Sequence, residues 1–500
     1  GWLYWAINYG SGNEHLFKAD EIDWSLWSTN HGSFNGMRSF FYPGKNGEIY
    51  PSLRASAMRD GLEDVELFRI AQKLVKTRED KAALETIRNG YATGLSSFCG
   101  DIKMLEKNRN KLYDLLVKLS PKVKVTQLEF DNFNTGKNSL FHPAVTPLKD
   151  GRWLATVQKI MNSDFYGEPE YTISSDQGKS WSKLQKIDAL NYRKLPDSKF
   201  IEAVADNRPF TLQNGSVVVF GCKTHYTEKG RAGNDPANQP YIPAQFAYYT
   251  IWDPATGKWS DRMKLDLPGL KHYRAACTQA VLLDDDKIIV PHYLSADQTL
   301  GELGTPKKFG VLTAIYQYKN GKLHFLRRSR IMTNNVKRGL IEPSIVQLPD
   351  KSYALTIRAE DGMMYCAFSK NAVDWSEPTA WCWDDGTKIR TSSTQQHWVT
   401  LNDRVFLVYT RFDGTNFPLP LRFRGPLYMA EAVPGKAILL RNSEVVVFPR
   451  KNLNGMEGRY GNFHCTQLSK DKALITDALY FARISNISSE LLLGPSSKVR

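Results

Sequence analysis

The stretch HPAVTPLKDGRWLATV, residues 142–157, decides the fold. A polar residue and a proline open it, an apolar run follows, Asp150-Gly151 turns the chain, and a second apolar run leads away. Asp-Gly between two β-rich runs is a strong hairpin signal, because the glycine takes the positive φ that such a turn needs. The layout recurs as NRPFTLQNGSVVVF from Asn207, CTQAVLLDDDKIIVPHY from Cys277 and EPSIVQLPDKSYALTIR from Glu342. It continues as QQHWVTLNDRVFLVYTR from Gln395 and FHCTQLSKDKALITDA from Phe463. Copies at a spacing of roughly 50–70 residues predict one hairpin per blade, with outer strands between copies. Residues 123–500 are therefore expected to form a six-bladed β-propeller, and the chain to be mainly β.

A second pattern lies between the copies. SSDQGKSW, Ser174 to Trp181, fits S-x-D-x-G-x-x-W. Its Asp is suited to tying down a tight turn while the Trp packs between strands. SKNAVDW (Ser369–Trp375) and DPATGKW (Asp253–Trp259) are weaker versions, and in all three the Trp is followed by Ser. That regularity predicts one structural slot filled three times.

Residues 1–122 are written differently. Met58, Leu62, Val65 and Phe68 fall at helical spacing, and Leu67, Ile70 and Leu74 supply a second apolar face. Leu105, Leu112, Leu116 and Leu119 mark another helix, stopped before Pro121, and Ala82 to Phe98 suits one more. Gly1-Trp2-Leu3-Tyr4-Trp5 reads as an interior strand, so the chain is expected to be a piece of a longer protein.

Composition bounds the function. The chain has 500 residues, 42% hydrophobic and 24% charged, as a soluble protein of two or three domains would. No run of 18 apolar residues occurs, so no membrane span is expected. The net charge of +14 is spread along the chain without a nucleic-acid motif. It fits a solvated basic surface or a carboxylated sugar as partner, and no nucleic acid. The 12 Trp and 23 Tyr fill sheet cores or stack on sugar faces. Six widely spaced cysteines, with no C-x-x-C, signal neither zinc nor a redox motif.

Two resemblances sharpen this reading. GWLYWAINYG (Gly1–Gly10), FFYPGKNGEIYPSLR (Phe40–Arg54) and AMRDGLEDVEL (Ala57–Leu67) resemble the C-terminal end of family-123 glycoside hydrolases, the β-N-acetylgalactosaminidase type. Residues 1–122 would then be the mostly helical tail of a truncated α/β barrel-type domain, with that family's acidic pair upstream. From Val123 on, the S-x-D-x-G-x-x-W turn (the Asp box) and the six hairpins resemble the sialidase superfamily, family-33 glycoside hydrolases in particular.

The second resemblance implies an exo-acting glycosidase that releases a terminal acidic sugar. The chemistry needs an arginine cluster, since a planar guanidinium matches the substrate carboxylate bidentately. It needs an acid to protonate the leaving oxygen. It also needs a Glu-activated tyrosine, a neutral nucleophile that the substrate carboxylate does not repel. By the resemblance, Glu342 is the activator and Arg358, ending the same repeat's second strand, binds carboxylate. Asp164, in NSDFYGEPEY after the first hairpin, is the acid/base, and Tyr460, in GRYGNFH, is the nucleophile. Arg208, beside Pro209, and Arg424 or Arg422, in LRFRGPLYMAEA, complete the grip, with Arg411 a weaker candidate.

The pattern has departures. No Arg stands near Phe141-His142-Pro143, and Tyr460 is displaced by about two residues. His142, His272, His292, His397 and His464 near the blade mouths line the pocket or are structural. No metal or organic cofactor is implied. The expected partner is a glycan or glycoconjugate, the expected state a monomer, and the expected location secreted or periplasmic in a glycan-degrading bacterium. The rival readings are a catalytically inactive glycan-binding propeller serving the upstream enzyme, a protein-interaction propeller, and a His-based lyase.

Overall fold

A computed structural model describes residues 41–494, apart from 44–48, 131–139, 163–164, 232–245, 299–307, 413–423, 478–485 and a few shorter breaks. The chain divides into two compact units: Gly1–Lys122 with Pro495–Arg500, and Val123–Gly494.

In the first unit, helices α1 (Leu53–Leu74), α2 (Arg78–Asn89) and α3 (Ile102–Leu119) share one core. Thr77 caps α2, its hydroxyl accepting from the Asp80 amide at 3.1 Å. The helix expected over Ala82–Phe98 stops at Asn89, and Ala92–Gly94 and Ser97–Phe98 pair as a short hairpin instead. Gly90 marks the stop because α3 passes close by: a Cβ there would lie 2.4 Å from Asn108 Nδ2, which donates to the Gly90 carbonyl. Among the described side chains of α1, one stripe is used. Leu67, Phe68, Ala71 and Leu74 pack inward, while Leu62, Val65 and Ile70 are exposed. The strand read at Gly1–Gly10 lies outside the described residues.

The second unit is a β-propeller-like arrangement of antiparallel sheets. The quoted hairpins supply the first two strands of each sheet. Leu140–Pro147 pairs with Trp153–Asn162, Ile201–Thr211 with Val217–Thr227, and Ile341–Gln347 with Tyr353–Arg358. The third sheet opens with two short strands, Tyr273–Arg274 and Val281–Leu282, both on Lys287–Ser295. The fifth pairs His397–Leu401 with Arg404–Thr410. Each of these five blades adds further strands outward. A sixth sheet orders His464–Ser469, Lys472–Asp477, Asn486–Gly494 and Lys122–Phe130, so it joins strands from both ends of the unit.

Packing runs between sheets. Phe220, Tyr249, Tyr273 and Tyr316 fill the seam of the second and third, and Ile345, Leu355 and Trp375 lie in that of the third and fourth. Trp381, Trp398 and Tyr409 fill the next seam. Val145, Trp153 and Trp181 of the first sheet meet Leu474 of the sixth.

The three-fold slot is visible in hydrogen bonds. In the turn after Glu170–Ser174, Asp176 accepts from the Ser180 amide, and the Trp181 indole donates to the Gly178 carbonyl. Trp375 donates likewise to the Ala372 carbonyl. The serine after each Trp takes one backbone amide across the sheet: Ser182 from Ile173, Ser260 from Ile251 and Ser376 from Phe368, at 2.9–3.0 Å. Ser329 and Ser443 do the same for Thr313 and Glu431. Five sheets therefore fix their outer edge with one chemical device.

Candidate functional site

Four residues in or beside the inner strands share a rare backbone state. His142, Asp206, Cys277 and Glu342 have φ of 51°, 58°, 51° and 47°. In three of these sheets the register slips at that point, between Phe141 and Ala144, Ala205 and Arg208, and Ile341 and Ser344. In the third the inner strand is interrupted there. A left-handed bulge costs a non-glycine residue on the order of 1 kcal/mol or more and re-aims its side chain. In four of the sheets the repeat therefore places one polar side chain at one mouth of the propeller.

These side chains meet around the mouth. His142 Nε2 lies 2.7 Å from Asp206 Oδ1. Donor atoms of His142, Asp206 and Cys277 all fall within 4.8 Å of one another. Gln158, buried within the first sheet's second strand, accepts from the Asp206 amide at 2.9 Å and so fixes that corner. Burial pushes the Cys277 thiol well above its ordinary pKa, and the carboxylates of Asp206 and Glu342 add to this.

Glu342 and Arg358 are brought together. Arg358 Nη1 donates to both Glu342 oxygens at 2.7 Å, and its Nε donates to Ser393 Oγ at 3.0 Å. Both side chains are largely buried, at 14% and 10% exposed. Arg338 and Glu360 form a second pair in the same field, and Arg274 holds the Tyr293 phenol. Burial drives that phenol's pKa well up, and nearby Glu342 contributes in the same sense.

The other expected residues lie elsewhere. Arg208 sits deeper, among residues lining an axial cavity of about 410 Å³ with Gln279, Trp398 and Thr466. Its guanidinium donates to the carbonyls of Thr278 and Cys465, at 3.1 Å to the latter, and burial pulls its pKa down to about 10. It thus ties two sheets together across the axis. Tyr460 is fully buried among Phe448, Phe463 and Met429, and its hydroxyl donates to the Pro449 carbonyl at 2.6 Å. In this arrangement it is a core residue. Arg424 lies against Gly461, and its carbonyl accepts from the Tyr460 amide. Arg411, just past the end of Arg404–Thr410, is bound by Glu444. Asp164 and Arg422 lie outside the described residues.

Among the described histidines, His142 alone has the left-handed backbone of the mouth position. His397 and His464 stack with ring centroids 5.9 Å apart, the His464 ring lies 5.8 Å from that of His142, and burial holds His397 and His464 well below the ordinary imidazole pKa. His292 is a core residue 3.1 Å from the Tyr316 hydroxyl. Sequence reading missed Asp206, Cys277, Arg274 and Tyr293. A signal existed for two of them: Cys277 opens the third repeat, and Asp206 holds the register of His142 and Glu342 once the copies are aligned one residue earlier.

No protein-family model matches the chain, and no curated protein matches it. Among solved structures, a protein of unknown function from Dyadobacter fermentans is similar over 75% of this chain and 100% of its own, with a TM-score of 0.54 at 14% identity. A Hadza microbial sialidase is similar over 71% of this chain and 66% of its own, with a TM-score of 0.49 at 13% identity. A Trypanosoma rangeli sialidase is similar over 74% and 59%, with a TM-score of 0.47 at 12% identity. The chain thus spans about three fifths to two thirds of the length of those two sialidases. At these identities the likeness is one of fold alone.

Proposed function

We propose that the propeller recognises an acidic sugar at the mouth described above and releases it as an exo-acting glycosidase of the sialidase type. The observation that carries this is Arg358. Glu342 and Ser393 hold two edges of its guanidinium, and Nη2 has no partner among the described residues. A guanidinium oriented in this way is preorganised to meet a carboxylate. Arg274 and Arg338 add positive charge beside it. In this reading Asp164 is the acid/base, and Arg424 or Arg422 and Arg208 are the further candidates for the grip.

The phenol is the open step. Tyr460 must leave the core to act, whereas Tyr293 already stands near Glu342. Loss of turnover in Tyr460→Phe assigns the nucleophile to Tyr460, and loss only in Tyr293→Phe assigns it to Tyr293.

We further infer that the sixth sheet is a sixth blade closing the ring. Its seam with the first sheet supports this, as does Thr466 Oγ1, which donates to the Val145 carbonyl at 2.6 Å. The helical unit is read as the end of a family-123-like hydrolase domain, and the whole as a secreted or periplasmic glycan-degrading protein.

A second reading, glycan binding without hydrolysis, is favoured by the burial of Tyr460 and by the commitment of Arg208 to carbonyls. The test is a screen of fluorogenic sialic acid and other ulosonic acid glycosides, with calorimetry on the intact oligosaccharides. Turnover that falls roughly a hundredfold or more in both Glu342→Gln and Arg358→Lys supports the glycosidase. Binding with no turnover of any glycoside supports the second reading, and neither binding nor turnover sinks both.

A further inference from the structure

We propose that His142, Asp206 and Cys277 form a site for a first-row divalent metal ion, zinc by its donor set, at the mouth of the propeller. His142 and Asp206 stand at bulges of the first and second sheets and Cys277 at the interruption of the third sheet's inner strand, all three at positive φ. Their donor atoms lie within 4.8 Å of one another. Imidazole nitrogen, carboxylate oxygen and thiolate sulfur are the ligand types that zinc takes, with bonds of about 2.0–2.3 Å.

Binding needs an adjustment at each end of the range, because the donor atoms spread out to 4.8 Å and the widest separation must close by about an ångström. A tetrahedral ion with such bonds sets its donors roughly 3.3–3.8 Å apart. The 2.7 Å contact of His142 with Asp206 must therefore open by somewhat more than half an ångström. The cluster is largely buried, with the Asp206 side chain 19% exposed, and its three residues would supply three of the four ligands of a tetrahedral ion. A site with three protein ligands and an open position is of the reactive kind, where a water or a substrate oxygen completes the shell.

Charge and protons balance. Without metal, Cys277 keeps its proton, because burial and the two nearby carboxylates oppose a thiolate. A divalent cation reverses that field. It displaces the thiol proton to solvent, and the ion, one thiolate, one carboxylate and a neutral imidazole sum to zero. The strained backbone has a purpose in this account. Positive φ at three consecutive mouths turns three side chains toward one point, and ordinary strand geometry would not do so. Glu342, fourth in the ring, is held by Arg358 and stays outside the donor set.

The proposal is independent of the glycan reading, because its test needs no substrate. The full chain is stripped with a chelator and titrated with Co²⁺ as a spectroscopic probe, and Zn²⁺ is measured by competition. One equivalent per chain is expected, with a near-ultraviolet thiolate-to-cobalt charge-transfer band. Cys277→Ser should abolish the band, and His142→Ala and Asp206→Asn should each weaken binding by roughly tenfold or more. Cys99→Ser, in the helical unit, should change nothing. Circular dichroism checks that each variant folds, and Cys277→Ala replaces Cys277→Ser if the latter does not. A folded wild-type chain that binds no stoichiometric metal overturns the proposal. So does a charge-transfer band that survives loss of the Cys277 thiol.

Discussion

The Glu342–Arg358 pair shows how a single side chain is held ready. Two charges taken largely out of water are stable only while each satisfies the other. Arg358→Ala should therefore destabilise the propeller by about 3 kcal/mol, measured by urea unfolding. Replacing both members, as in Glu342→Gln with Arg358→Met, should recover part of that loss, because no buried charge is then left alone. A second residue-scale expectation concerns His292, whose pKa burial lowers to about 3. Below the unfolded imidazole value of roughly 6.5, the unfolded chain binds the proton and the folded chain does not. Stability should hold above that pH and fall as it drops toward 3, and His292→Gln should flatten the slope of Tm against pH between 7.5 and 5. An unchanged slope would remove His292 from the account.

Hairpins and turns are where sequence reading succeeded best, and the reason is local. Gly151 and Gly215 take φ of 88° and 91° in turns where Asp150 and Asn214 accept the amide two residues on. The signal and the structure are the same few residues. Asp350-Lys351 makes the same turn, and Lys351 is forced to a φ of 70°. Lys351→Gly should therefore raise stability by up to about 1 kcal/mol, read as a shift in the urea midpoint. Glu342 with Arg358 was legible for a similar reason: one hairpin carries both. Tyr460 was not, because a tyrosine near a mouth in sequence can be turned inward by Phe448 and Phe463, which come from other strands. The meeting of His142, Asp206 and Cys277 was hidden as well. It depends on three sheets standing side by side, and no spacing along the chain encodes that. In α1 the periodicity gave the helix but not its buried face, since Leu62 and Val65 repeat as regularly as Leu67 and Ala71.

At the scale of the whole unit, the sixth sheet sets how the propeller unfolds. Lys122–Phe130 and Asn486–Gly494 come from opposite ends of Val123–Gly494 and its border, yet share one sheet. If they close the ring, neighbouring blades lose support together when either strand is removed. Truncation after Asp477 should lower Tm and broaden the calorimetric transition, whereas a cut confined to the helical unit should leave the propeller transition in place. A sharp, unshifted transition after the truncation would show that the other sheets stand alone.

The left-handed position at each mouth has a wider consequence. Its side chain answers to its neighbours around the axis, while the seams between blades are built from other residues. Four blades thus contribute one letter each to the mouth: His, Asp, Cys and Glu. Such a scaffold can exchange a single letter, and with it an acid, a ligand or a hydrogen-bond donor, without rewriting the packing that keeps it folded. New chemistry on this frame is a matter of spelling more than of architecture.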